Sequence, residues 1–148
     1  MCRYHLGLVE VDGTRQAPAG KMSALPSLCL ATCEALEGNL PDCLPAALSL
    51  ELAHRTSLVF DDIQDNSRQR NHRDTVWEVW GVNQALNAGL ALSSYGRLAL
   101  QDTTGRVDPA VILLVDRLLE EAVVDLCRGQ YLDLHFPGTR PSVKDVWR

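Results

Sequence analysis

A long stretch without glycine or proline, from Ala46 to Asp65, is the feature that most constrains how this chain folds. Leu48, Leu52 and their apolar neighbours give it the broad apolar surface of a central, buried helix. Pro41 and Pro45 come just before it, where a new helix begins. The stretch therefore predicts a core helix against which other elements pack.

Three carboxylates close this helix, at Asp61, Asp62 and Asp65. On a helix, Asp61 and Asp65 lie one above the other and Asp62 lies about 100° round the axis, so all three reach one small volume. Their mutual repulsion and the negative end of the helix dipole are both unfavourable, and a bound cation relieves both. Because Mg²⁺ prefers carboxylate oxygen, the spacing predicts a Mg²⁺ site. A solvated acidic turn is the alternative.

Three further helices are predicted from apolar periodicity and from start and stop signals. They cover residues 24–36, residues from Thr75 to a turn at 102–108, and residues from about 110 to 135. Thr75 and Glu78 have the spacing of a capping box. The helix after Thr75 carries small residues that allow close helix contact: Gly81, Ala85, Gly89, Ser93 and Gly96. Core positions expected on the other two helices are Leu25, Leu28, Cys29, Cys33, Leu36, Leu113, Leu114, Leu118, Val123 and Leu126.

The fold class is predicted to be all-α, because no useful stretch alternates between apolar and polar residues. With 148 residues, of which 46% are hydrophobic and 22% charged, the chain has the size and composition of one globular domain. We divide it into an N-terminal arm over residues 1–20, a helical part over residues 21–136, and a tail over residues 137–148.

Composition also excludes several classes of protein. No apolar run approaches the ~18 residues of a membrane span, and the N-terminal residues lack the apolar core of a secretory signal. We therefore expect a cytoplasmic protein. A net charge of -5 gives no footprint for nucleic acid. The five cysteines are odd in number and form no C-x-x-C pair, which fits neither a disulfide framework nor a zinc site.

Four stretches, in order, resemble motifs of the trans-isoprenyl diphosphate synthases, the polyprenyl synthetase family. HRTSLVFDDIQDNS at 54–67 resembles the first aspartate-rich motif, and residues 75–89 resemble the segment that follows it. GQYLDL at 129–134 resembles the GQ-x-x-D helix, and GKMSALP at 20–26 resembles the GK-x-x-RP block. The resemblance covers about residues 20–136 and implies the N-terminal half of a helical bundle of the isoprenoid synthase type.

In this family the aspartates bind Mg²⁺, which holds the diphosphate of an allylic prenyl substrate as it leaves and a carbocation forms. The resemblance thus implies Asp61, Asp62 and Asp65 as catalytic, metal-binding residues and Arg70 as a contact of the allylic diphosphate. It also implies substrate-binding roles for Lys21, His54, Gln130 and Asp133. For Arg70, the alternative is a solvated loop arginine. For Gln130 and Asp133, the alternative is ordinary hydrogen bonding at the surface or between helices.

The chain departs from the family at two arginines. The family's RRG reads Arg70-Asn71-His72 here, and the GK-x-x-RP block has one extra residue and no arginine. Each lost charge-assisted contact is worth about 1.5 to 3 kcal/mol, and asparagine does not replace an arginine fork. In the family these arginines serve isopentenyl diphosphate. We therefore expect weakened binding of that substrate, with allylic diphosphate and metal binding retained.

Family members are longer and carry a second aspartate-rich motif on a later helix that faces the first. Beyond Asp133 this sequence contains only Asp145. We therefore expect a homo- or hetero-oligomer in which a second chain supplies that motif. Three functions stay open: prenyl transfer, a terpene-cyclase-like reaction or transfer to another acceptor, and a noncatalytic subunit or truncated remnant.

The residues before the aspartates bear on product length. In the family, bulky aromatics there close the floor of the chain-elongation pocket. Thr56 and Ser57 are small, which predicts a deep pocket for a prenyl chain of about C15 to C20 or longer. Simple helix packing is the alternative.

Overall fold

The computed structural model describes residues 1–17, 23–103 and 105–136, and most of these residues are helical. The elements in chain order are α1 (Cys2–His5), α2 (Ala24–Ala35), α3 (Leu40–Gln64), β1 (Gln69–Arg70), β2 (Arg73–Asp74), α4 (Val76–Trp80), α5 (Val82–Gln101) and α6 (Pro109–His135). The two short strands pair as an antiparallel hairpin. The predicted all-α class is confirmed. Within the described ranges, no helix is long and apolar enough to cross a membrane.

The core lies between α3 and α5. Val59 of α3 and Leu92 of α5 are among its most completely buried side chains. Gly89 and Gly96 are buried on the face of α5 that meets α3. A Cβ atom on Gly89 would lie 2.6 Å from the Phe60 ring, so the two helices approach as closely as they do only because the residue is glycine. The predicted small-residue contact is thereby confirmed for these two positions.

The central helix begins earlier than predicted. It starts at Leu40, with Asn39 as its N-cap and Pro41 in its first turn, where the backbone N–H groups lack helical partners in any case. Pro45 lies inside the helix and has no N–H to donate to the carbonyl of residue 41. Tertiary contact with α2 and α5 carries the helix through this missing bond. Pro41 and Pro45 thus lie within the first turns of α3 and do not mark the residue where the helix begins.

The predicted helix after Thr75 is interrupted. Gly81 has φ 82° and ψ 161°, which glycine adopts without steric penalty, and it separates α4 from α5. Thr75 is the N-cap of α4, but its hydroxyl donates to the carbonyls of Ser67 and Arg68, at 2.9 and 3.3 Å. Its side chain therefore makes no cap bond. The predictions of one continuous helix and of a capping box with Glu78 are both wrong.

The outer faces of α2 and α6 are exposed, and neither helix has a fully buried residue in the described structure. The expected core residues that are exposed are Leu25, Leu28, Leu36, Leu48, Leu113, Leu114, Leu118, Val123 and Leu126. Cys29 and Cys33 are half-buried rather than part of the core. Apolar periodicity predicts a face correctly, but burial also needs a layer against that face. Here α2 packs mainly on α3, and α6 touches α3 and α5 only lightly.

The N-terminal segment, residues 1–17, contains the short helix α1 and packs against the core. Tyr4 is buried, with its ring edge-on to that of Trp80 at 5.0 Å. The Tyr4 hydroxyl donates to the Asp74 carbonyl at 2.8 Å, and the Arg73 guanidinium lies 4.3 Å from the centre of the Tyr4 ring. Both contacts are to β2, so this segment holds the hairpin in place.

His5 follows in the same segment and faces three arginines. Burial first, and then the charges of Arg55, Arg70 and Arg73, lower the pKa of His5 from 6.5 to about 4. Its Nε2 atom is buried without a hydrogen-bond partner in the described structure. The imidazole is therefore neutral at pH 7, which avoids placing a fourth cation beside the arginines.

Gly89→Ala tests the close approach of α3 and α5. The added Cβ strikes the Phe60 ring, so we expect the free energy of unfolding to fall by about 1 to 3 kcal/mol. Gly129→Ala is the control, because a Cβ there meets nothing within 4 Å and alanine favours a helix. Chemical denaturation measures both. Equal stability of the two variants would contradict the contact.

His5 also predicts a dependence of stability on pH. The folded state keeps His5 neutral down to about pH 4, whereas the unfolded chain protonates it near its ordinary value of 6.5. Between these values the unfolded state binds more protons, so stability falls as the pH falls. We expect the wild type to lose about 2 kcal/mol more than His5→Gln between pH 7 and pH 4.5. Identical losses, measured by denaturation at both pH values, would show that His5 is not the cause.

Candidate functional site

The carboxylates predicted as a metal site lie in the last turn of α3, and their environments differ. Asp62 is 2% exposed, the Asp61 side chain is 34% exposed, and Asp65 is exposed. Burial raises the pKa of Asp62, the neighbouring charge of Arg70 opposes that rise, and the charges of Asp61 and Asp65 add to it. The negative end of the helix dipole acts on the same groups. The site therefore needs positive charge to be stable.

Arg70, on β1, supplies that charge. Its Nε donates to Asp62 Oδ1 at 2.8 Å and its Nη2 donates to Asp61 Oδ2 at 2.6 Å, so one guanidinium spans both carboxylates. Burial tends to lower the pKa of Arg70, but its bonds to Asp62 and Asp61 outweigh this and raise the pKa overall. A buried carboxylate left without its partner typically destabilises a protein by about 3 to 5 kcal/mol. The Arg70–Asp62 pair is thus structural as well as a candidate ligand contact.

A tight turn sets the position of Arg70. Arg70 pairs with Arg73 across the hairpin, and the two residues between them, Asn71 and His72, have φ values of 52° and 62°. Positive φ at both loop positions is typical of a type I′ hairpin turn. Glycine suits such a turn best. His72 occupies the turn position at which the RRG pattern has its glycine. The sequence predicted a loop and missed the hairpin, although asparagine, which tolerates positive φ, at the first turn position was a usable signal.

Two residues of the GQ-x-x-D stretch lie on α6 in different settings. Gln130 reaches across to α3, where its Nε2 donates to Asp61 Oδ1 at 3.4 Å. Asp133, one turn further on, is exposed. In the described structure no hydrogen bond or ion pair joins Asp133 to the α3 carboxylates. The structure thus brings Gln130, but not Asp133, to the candidate site.

No three described histidine, cysteine, aspartate or glutamate side chains converge as ligands of one metal ion. The convergence that helix spacing predicted for the aspartates is therefore absent from this arrangement. The donor chemistry still fits a hard divalent cation, because three carboxylates lie at this helix end and one guanidinium pairs with only two of them, Asp61 and Asp62, among the described contacts. Asp65 is exposed, the Asp61 side chain is 34% exposed although it is bonded to Arg70, and Asp62 is buried against Arg70.

An apolar cavity of about 290 Å³ lies between α3, α5 and α6. His54, Thr56, Ser57 and Phe60 line its α3 side. The Thr56 and Ser57 hydroxyls donate to backbone carbonyls, at 2.9 and 2.7 Å, so they add little free polarity to the cavity. Lys21, the remaining predicted contact, lies outside the described residues.

A second cavity, of about 710 Å³, lies on the opposite side of α3, against the N-terminal segment. Arg55, Arg70, Asn71 and Arg73 are among its lining residues. Arg55 Nε donates to Glu51 at 2.7 Å, one turn earlier on α3. Neither Arg55 nor Arg73 was predicted from the sequence as a site residue. For Arg55, the signal available in the sequence was its helical spacing from Glu51.

The Polyprenyl synthetase family model matches residues 16–146. The geranylgeranyl diphosphate synthase of Mycobacterium tuberculosis is 34% identical over 143 residues, which cover 97% of this chain and 40% of that protein. The (2E,6E)-farnesyl diphosphate synthase of Mycobacterium bovis is 35% identical over 133 residues, which cover 90% of this chain and 36% of that protein. The crystal structure of polyprenyl synthetase from Streptomyces coelicolor A3(2) superposes with a TM-score of 0.84 at 30% identity, over 97% of this chain and 41% of that one.

The chain thus spans about two-fifths of the length of the relatives that it matches. Its helices correspond to part of the bundle of isoprenoid synthases, as the motifs implied. Match by family model, identity to curated relatives and superposition agree, and the chain belongs to the polyprenyl synthetase family.

Proposed function

We propose that this chain forms the allylic-diphosphate side of an isoprenyl diphosphate synthase-like site and takes part in Mg²⁺-dependent prenyl transfer. The observation that carries the proposal is the fork of Arg70 across Asp61 and Asp62. Arg70 places a cation that can donate further hydrogen bonds beside the acidic groups at the C-terminal end of α3. The relatives named as geranylgeranyl and farnesyl diphosphate synthases support the same class of substrate.

Asp61, Asp62 and Asp65 are the residues that would hold Mg²⁺. Asp61 and Asp65 are open to solvent, and Asp62 becomes available when Arg70 turns to another anion. Bound Mg²⁺ would supply neutralisation of the charge that develops on the diphosphate as it leaves.

The protein side chains contribute binding, orientation and exclusion of water. The Arg70 side chain is 30% exposed, so part of its fork can donate to a diphosphate oxygen. Gln130 orients Asp61 from α6. The cavity beside His54, Thr56 and Ser57 is apolar and suits a prenyl chain of about C15 to C20 or longer. Lys21 and Asp133 stay proposed substrate contacts on the resemblance alone.

The acceptor side is less complete. Asn71 stands where the family motif has its second arginine, and it lines the cavity on the N-terminal side of α3. An asparagine cannot supply a guanidinium fork. This loss favours, as a second candidate function, a terpene-cyclase-like reaction or transfer to an acceptor other than isopentenyl diphosphate.

A second aspartate-rich motif would come from a further chain or a further segment. The exposed apolar residues of α6 give such a partner a surface to cover, and the chain accounts for about two-fifths of its relatives' length. A noncatalytic subunit or truncated remnant is the remaining possibility and uses the same surface. The cytoplasm is the proposed location.

Binding of geranylgeranyl diphosphate, measured by titration calorimetry with and without Mg²⁺, tests the metal assignment. We expect Asp61→Ala and Asp65→Ala each to weaken Mg²⁺-dependent binding by at least about tenfold. The matched control is Asp125→Ala, which removes an exposed acid of α6 that pairs with Arg128. Chelation of Mg²⁺ should reduce wild-type binding to the variants' level. Unchanged Mg²⁺-dependent affinity in both site variants would contradict the assignment.

Mass spectrometry of the same mixtures, with and without isopentenyl diphosphate, separates the candidate reactions. An elongated diphosphate indicates a working acceptor site, whereas a terpene released without isopentenyl diphosphate indicates the cyclase-like reaction. Binding without turnover, with or without a partner chain, indicates a noncatalytic subunit.

A further inference from the structure

Three cysteines that are scattered in sequence meet where α2 packs on the first turns of α3. Cys29 and Cys33 lie one turn apart on α2, and Cys43 lies on α3. The Sγ atoms of Cys29 and Cys43 are 3.7 Å apart, and Cys33 is a neighbour of Cys43. The turn between the helices closes on the cluster, since a Cβ at Gly38 would lie 2.7 Å from Cys33 Sγ.

The geometry of the cluster favours chemistry between a pair of thiols. A disulfide has an S–S length of about 2.05 Å, so the Sγ atoms of Cys29 and Cys43 need to approach by only about 1.7 Å. Both residues are half-buried and so remain accessible to a small reagent. No three described cysteine, histidine or acidic side chains converge as metal ligands, so a soft metal ion is not the favoured occupant.

We propose that Cys29 and Cys43 are a disulfide-forming site that links α2 to α3 under oxidising conditions. The oxidant is a low-molecular-weight disulfide. The Cys29 thiolate attacks one of its sulfurs, a mixed disulfide forms, and a first small thiolate leaves. The Cys43 thiolate then attacks Cys29 Sγ, the protein disulfide forms, and a second small thiolate leaves. The two protons given up by the protein thiols end on the two released thiols, and two electrons pass to the oxidant.

The cluster has a second feature, which is the third thiol. Only one of the two α2 thiols can bond to Cys43 at a time, so Cys33 stays free next to the new disulfide. Attack of the Cys33 thiolate on Cys43 Sγ would release the Cys29 thiolate and move the disulfide to Cys33, whereas reduction of the disulfide needs an external thiol. Burial raises the pKa of both Cys33 and Cys43, which slows these steps near neutral pH and speeds them as the pH rises.

The expected consequence is a firmer attachment of α2. This helix has no buried residue, so a covalent bond to α3 would add a strong restraint to a weakly held element. Cys43 lies 18 positions before Asp61 on the same helix, or about 27 Å along its axis. The link is therefore remote from the carboxylates, and its test needs no enzymatic activity.

The test is to incubate the folded, full-length chain with oxidised glutathione at pH 8, alkylate the remaining thiols, and map disulfides by mass spectrometry. We expect a peptide pair joined through Cys29 and Cys43, and a melting temperature at least about 5 °C above that of the reduced chain. In Cys29→Ser the Cys29–Cys43 peptide pair should vanish, although Cys33 can still bond to Cys43, and in Cys43→Ser both changes should vanish. They should persist in Cys127→Ser, which removes an exposed thiol of α6.

Two results would overturn the proposal. One is glutathione adducts on Cys29 and Cys43 without a bond between them. The other is a melting temperature that rises equally in Cys43→Ser. Because each serine variant is nearly isosteric with cysteine and is compared with its own reduced form, a change in its basal stability does not obscure either readout.

Discussion

The arginine fork at the end of α3 is the interaction on which the rest of the site depends. Three carboxylates in one helical turn, at the negative end of the helix dipole, are unstable without a cation. Arg70 provides that cation through two short hydrogen bonds to Asp61 and Asp62. Because Asp62 is almost fully buried, the pair also fixes the hairpin against the helix. The contact between Arg73 and the Tyr4 ring secures the other strand, β2, against the N-terminal segment.

Sequence patterns predicted much of this arrangement, where a local rule decides the outcome. The long helix, the carboxylates at its C-terminal end and the glycine that faces Phe60 all follow from helical spacing. Patterns failed where distant contacts decide the outcome. Gly81 breaks a helix that its periodicity continued, and the Thr75 hydroxyl bonds to the preceding loop instead of capping. Neither fact is written in the nearby residues.

The exposed apolar residues illustrate the same limit. Leu113, Leu118 and Leu126 have helical spacing, but they remain exposed because burial requires a facing layer and α6 has little of one in the described structure. For the cysteines, the sequence pattern missed a contact that does form. Spacing in sequence showed no pair, whereas the packing of α2 on α3 places Cys29 and Cys43 in contact. The Arg55 cavity likewise combines segments that are distant in sequence.

The two faces of α3 have different proposed roles. One face borders the apolar cavity with Thr56 and Ser57, and the other borders the arginine-lined cavity of the N-terminal segment. Arg70 stands between them, since it lines the second cavity while it holds Asp61. In the proposed function, the apolar cavity would take the prenyl chain and Arg70 would bind its diphosphate.

A double-mutant cycle on Asp62 and Arg70 tests this account most directly. Urea denaturation of Asp62→Asn, Arg70→Gln and the double variant should show each single change lowering the free energy of unfolding by about 3 kcal/mol. The double variant should be more stable than the sum of the singles allows, by about 1 to 3 kcal/mol. The exposed Arg68–Glu78 pair, 3.8 Å apart, is the control and should give a coupling below about 0.5 kcal/mol. Additive losses for Asp62 and Arg70 would contradict the central role of the fork.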